Sequence, residues 1–140
     1  MHPAQITLVQ QTFALAAPHA ESIASRFYTR LFELDPTLRR LFTGDMHAQG
    51  AKLMTMLALV VHQLHQPQPI LDAVQRLGER HAHYGVQPHH YATVGEALLW
   101  TLAQHFGAAF TDEVCAAWTS AYQLLVGVMQ PAALAVEGNG

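Results

Sequence analysis

The stretch ILDAVQRLGERHAHY, residues 70–84, separates its side chains into two faces when wound as a helix. Ile70, Val74, Leu77 and His81 recur at a 4-3-4 spacing and share one apolar stripe. Asp72, Arg76, Glu79 and His83 repeat the same spacing on a polar stripe. The periodicity therefore turns His81 inward and His83 outward, although the two are only two residues apart. An inward imidazole must hydrogen-bond or bind something, because an unpaired polar group in an apolar site costs about 1–3 kcal/mol. Two readings stand open: a core histidine bonded to a carbonyl or hydroxyl, and a ligand.

The same helical period continues on both sides. Pro18, Pro36, Gly44, Gly50, Pro67, Pro69, Gly85, Pro88, Gly107 and Pro131 punctuate the chain. Between them the apolar spacing predicts helices over 5–17, 19–34, 36–42, 48–65, 70–84, 88–106 and from Thr111 to about 130 or beyond. Asp35 and Thr111 are the expected N-caps of the third and the last. No strand-length alternation or Asn-Gly or Asp-Gly hairpin signal is present, so the fold class is all-α in one domain spanning residues 1–140, with 131–140 a possible frayed tail.

Composition narrows the function classes. The chain has 140 residues, 51% of them hydrophobic and only 12% charged, which gives ample material for a core. Seven basic against ten acidic residues, without a Lys/Arg cluster, argue against a nucleic-acid partner. The lone Cys115 excludes a disulfide framework and a multi-cysteine zinc site. The apolar run LALVV (57–61) is far shorter than the ~20 residues a membrane span needs, and the N-terminus lacks a signal-peptide pattern. A cytoplasmic protein is expected. Ten histidines outnumber lysine plus arginine, but most fall on loops, helix starts or polar faces.

Two residues are candidates to face His81. Gln49 precedes the inward stripe Leu53, Met56, Leu57, Val60 and Leu64 by one turn. Tyr28 shares a stripe with Ala24, Leu31 and Phe32. Each also has an ordinary reading, a half-exposed or capping glutamine and a core tyrosine. Together the three describe an apolar pocket with an imidazole on one wall and two hydrogen-bond donors elsewhere.

FYTRLFELDPTLRRLF (27–42), AQGAKLMTML (48–57), RHAHYGVQPHHYATVGEALL (80–99) and AWTSAYQLLVGVM (117–129) resemble the bacterial single-domain globins and the haem domain of flavohaemoglobins. The likeness runs through nearly the whole chain. It implies a globin fold, a three-over-three helical sandwich around one non-covalent haem b, with His81 as the iron ligand. The Pro36-to-Phe42 segment is similar to the one that sets a phenylalanine against the haem face. Gln49 and Leu53, 32 and 28 residues before His81, are similar to that family's distal pair. HYxxVG (90–95), with Tyr91 and Val94, is similar to the helix after the haem ligand. By the same likeness Tyr28 and Gln49 contact bound dioxygen, and Leu53 limits the pocket volume. Lys52 and Arg80 are candidates for the haem propionates, with solvated charges the equal alternative. In flavohaemoglobins the tyrosine matching Tyr91 contacts the ligand histidine together with a glutamate of the last helix. Here the matching stretch is QPAAL (130–134), and no acid lies between Glu113 and Glu137. Weaker polarisation of His81, and weaker peroxidase-like chemistry, are expected.

The resemblance implies reversible dioxygen binding for transport or storage, with carbon monoxide and nitric oxide as further ligands. The alternatives are a nitric oxide dioxygenase served by a separate reductase, since no reductase domain is expected in this chain, and a haem-based gas sensor. A monomer or weak dimer is expected. His89 and His90 are expected to be surface or capping residues, His47 an exposed loop residue, and Cys115 a small packed side chain.

Overall fold

Six α-helices follow one another in the computed structural model, which describes the backbone of residues 1–139 and the side chains of residues 1–133. They are α1 (Pro3–Ala16), α2 (Ala20–Leu34), α3 (Met46–His62), α4 (Leu71–His83), α5 (Pro88–Phe106) and α6 (Asp112–Asn139). Among the described residues there is no strand, and no helix is long and apolar enough to cross a membrane.

Local chemistry explains most boundaries. The Asp45 carboxylate accepts from the His47 and Ala48 amides at 3.2 and 3.3 Å, so α3 begins at Met46, two residues before the expected start. Thr111 Oγ1 accepts from the Val114 amide at 3.2 Å and caps α6 as expected. Asp35 accepts from the Thr37 amide at 3.0 Å and from its hydroxyl at 2.6 Å. The segment it caps, Pro36–Leu41, is a 3-10 helix, so the third expected helix takes the tighter form. Its six residues exceed the usual 3-10 length, and Pro36 with the Asp35 cap fixes where it starts. Gly85, with φ +91°, closes α4, and the Val86 amide reaches back to the His81 carbonyl at 2.9 Å. Pro131 does not end the last helix: it lies inside α6. Met129 and Ala133, one turn apart across the proline, are both buried, and continuity of that packed face offsets the missing amide bond.

Two helix crossings owe their closeness to glycine. A Cβ on Gly50 of α3 would lie 2.9 Å from the Ala24 Cβ of α2. A Cβ on Gly78 of α4 would overlap the Met129 carbonyl of α6 at 2.2 Å. The main core runs from Ile6 and Val9 through Phe27, Leu31, Val60, Leu64 and Val74 to Leu98, Leu102, Ala117 and Trp118. Trp118 Nε1 donates to Thr12 Oγ1 at 2.8 Å, which satisfies the indole where α6 crosses α1. Helix α3 packs on α2 and α1, and α4 packs on α6, while α3 and α4 share no extensive contact.

Candidate functional site

Several large apolar side chains on the inward stripes are only half-buried. Leu53, Met56 and Leu57 come from α3, Leu77 from α4, Val94 from α5, and Phe42 follows the 3-10 turn. Residues of this size on inward stripes would be fully covered if α3 and α4 met.

Tyr28 is carried by α2. It is buried and its ring sits edge-on to Phe27 at 4.9 Å and to Phe42 at 5.3 Å. Phe42 also meets Phe32 edge-on at 5.5 Å. Burial raises the phenol above its ordinary pKa, and a side-chain hydrogen bond from Gln49 partly opposes that rise. The hydroxyl therefore keeps its proton at neutral pH and can donate it. Gln49 reaches Tyr28 because its neighbour Gly50 lets α3 approach α2 closely.

His81 is half-buried on α4. Its Nδ1 lies 2.7 Å from the Leu77 carbonyl one turn earlier. A carbonyl only accepts, so Nδ1 carries the proton and Nε2 keeps its lone pair. Burial lowers the imidazole pKa, the Leu77 bond opposes this, and the nearby Arg80 charge adds to the lowering. The ring is thus neutral at pH 7, with one nitrogen fixed and the other available as a ligand. His83 is exposed, as the two-stripe reading of this helix requires.

The other sequence candidates divide. Phe42, Leu53 and Val94 are half-buried against the core. Tyr91 is buried at the start of α5, and its carbonyl accepts from the Tyr122 hydroxyl at 2.5 Å. Lys52 and Arg80 are both exposed. His89 is exposed and His90 is buried, the first a surface residue and the second a cap, as the reading of the pair allows. Its capping role holds: His90 Nδ1 accepts from the Gln87 amide at 2.8 Å. His47 is exposed and pairs with Glu21 at 3.4 Å, and Cys115 is half-buried. The carbonyl partner left open for His81 by its spacing is Leu77, although which carbonyl it would be had no side-chain signature. Residue spacing missed the roles of Gly50 and Gly78, although a glycine inside a helical pattern is a recognisable signal of close packing.

A neutral imidazole whose Nδ1 is held by a carbonyl keeps Nε2 as a lone-pair donor, the arrangement of a metal-binding histidine. Comparisons with known proteins identify the family. The family model described as Globin matches residues 25–129. The flavohemoprotein of Bordetella pertussis is 32% identical over 132 residues, which cover 92% of this chain and 33% of that protein. The flavohemoprotein of Chromobacterium violaceum is 33% identical over 127 residues, covering 88% of this chain and 31% of that protein. This chain thus spans about a third of the length of the curated relatives it matches. Among solved structures, an engineered carbene transferase made from a candidate nitric oxide dioxygenase of Rhodothermus marinus superposes with a TM-score of 0.90 at 26% identity, covering 99% of this chain and 96% of the other. A bacterial globin from Campylobacter jejuni superposes with a TM-score of 0.86 at 18% identity, covering 98% and 99%, and shares the fold.

Proposed function

This chain belongs to the globin family, and we propose that it holds a non-covalent haem b between α3 and α4 and binds dioxygen reversibly, with His81 as the protein's iron ligand. The observation that carries this reading is the Leu77 carbonyl on His81 Nδ1 at 2.7 Å, which leaves Nε2 unprotonated and turned from its own helix. Haem bound there would supply an iron with one position open to a diatomic gas. The protein's part is the surroundings of that position. Tyr28 presents a protonated hydroxyl and Gln49 an amide, and in a water-poor slot donated hydrogen bonds to a partly anionic ligand are stronger than in water. Phe42 and Leu53 contribute apolar surface that excludes water and limits the volume.

Nitric oxide dioxygenation with electrons from a separate reductase is the second reading, favoured by the likeness to flavohemoproteins and to the Rhodothermus marinus protein. It uses the same residues and differs in the electron supply. Visible spectra of the purified protein, reduced and under carbon monoxide, test the haem reading; featureless spectra after haem addition would refute it. Steady-state nitric oxide consumption with a cellular reductase tests the second. Sustained turnover would make the protein an enzyme, and a single burst would leave it a carrier.

A further inference from the structure

We infer that Asp35, His89 and His90 form a binding site for a divalent transition ion of the zinc class, at the corner where the end of α2 meets the start of α5. One ligand atom from each of the three lies within 4.8 Å of the others. The two imidazole rings are 4.2 Å apart, centroid to centroid, at 57°. Two imidazoles and a carboxylate are a donor set that borderline ions prefer over Mg2+ or Ca2+.

The three residues are placed by separate elements. Asp35 is held as the cap of the 3-10 turn, with Oδ1 taken by Thr37. Its second oxygen is the one left to ligate an ion. His90 is buried on the first turn of α5, while His89 beside it is exposed and free to rotate. Donors around a tetrahedral ion bound at ~2.0–2.1 Å sit roughly 3.3 Å apart, so the cluster must contract by about 1.5 Å at most. Rotation of the exposed His89 side chain brings it toward the other two, and the Asp35 and His90 side chains close the remaining gap.

Two features oppose the ion and make the inference specific. His90 Nδ1 accepts from the Gln87 amide, so His90 ligates only by giving up that cap. The exposed Arg40 places a positive charge near His90 and must swing away. Removing that charge should therefore strengthen ion binding, an effect no purely structural role for the cluster requires. None of these residues is the iron ligand proposed above, so the site can be tested whether or not haem is bound.

The test is calorimetric titration of the full-length protein, free of any polyhistidine tag, with Zn2+ alone. Imidazole nitrogen NMR follows the histidines in parallel. One Zn2+ per chain is expected, with His89 and His90 resonances shifting together. His89→Gln and Asp35→Asn should each weaken binding by ~10-fold or more, and Arg40→Gln should tighten it. His105→Gln, which alters the His19–His105 ring pair elsewhere, should leave it unchanged. His89 is exposed, so its variant keeps the fold, and circular dichroism verifies the Asp35 variant. No stoichiometric binding, or Zn2+ affinity unaltered by His89→Gln, or affinity lost in His105→Gln, would overturn the inference.

Discussion

The imidazole of His81 donates to the Leu77 carbonyl at 2.7 Å, so the partner that orients this ring is a neutral backbone group one turn back on its own helix. A carbonyl orients an imidazole and selects its tautomer, but draws its proton away far less than a carboxylate does. The stretch QPAAL (130–134) carries no acid that could add to it. With haem bound, resonance Raman should therefore show the iron–histidine stretch of a neutral imidazole, and peroxidase turnover should be low. The stronger stretch of an imidazolate would contradict this.

Tyr28 and Gln49 act as a pair, so their variants should differ in a defined way. Tyr28→Phe removes the hydroxyl and keeps the ring against Phe27 and Phe42. One hydrogen bond of about 1 kcal/mol corresponds to a roughly fivefold faster oxygen dissociation, read by stopped flow. Gln49→Leu should also speed dissociation. The double variant should fall short of the product of the two effects, because each residue positions the other's donor. An off-rate unchanged in Tyr28→Phe would remove the tyrosine from this role.

Gly78 and Gly127 should respond to alanine with opposite signs. A Cβ at Gly78 meets the Met129 carbonyl at 2.2 Å, a backbone atom that cannot turn aside. Gly78→Ala should destabilise the fold by about 2 kcal/mol or more. Gly127, exposed inside α6, has nothing within 4 Å of its would-be Cβ. Gly127→Ala should stabilise by ~0.5–1 kcal/mol through the unfolded chain alone. Urea unfolding of both variants measures the contrast; equal effects would show that α4 does not depend on this contact.

Acid should weaken the fold partly through His105. Burial, then the neighbouring His19 and Arg26 charges, hold its imidazole below the ordinary 6.5. Folding therefore favours the neutral ring. That contribution is complete above about pH 6.5 and is lost as the pH falls toward the depressed folded value, where the unfolded state binds the extra proton. His105→Gln should flatten part of the fall in melting temperature between pH 7 and pH 5. A slope identical to that of the parent would exclude His105 as the group responsible.

Periodicity alone separated His81 from His83, located the helices and excluded strands, because a side chain's face on a helix depends only on its number in the chain. The caps at Asp35 and Thr111 were legible for a similar reason: a side-chain acceptor two or three residues before an amide is a local arrangement. Phe42, Leu53 and Tyr28 entered the candidate site through stripe position and family likeness, and the structure places Tyr28 against Phe42. Other features depended on contacts between residues far apart in the chain. Gly50 against Ala24 brings Gln49 to Tyr28, and Gly78 against Met129 seats the helix that carries His81. His90 became a buried cap, and Asp35 joined it from more than fifty residues away, only when α5 docked beside the end of α2. The faces of each helix follow from the 3.6-residue repeat, but which faces meet, and how closely, is set by packing that no local pattern encodes.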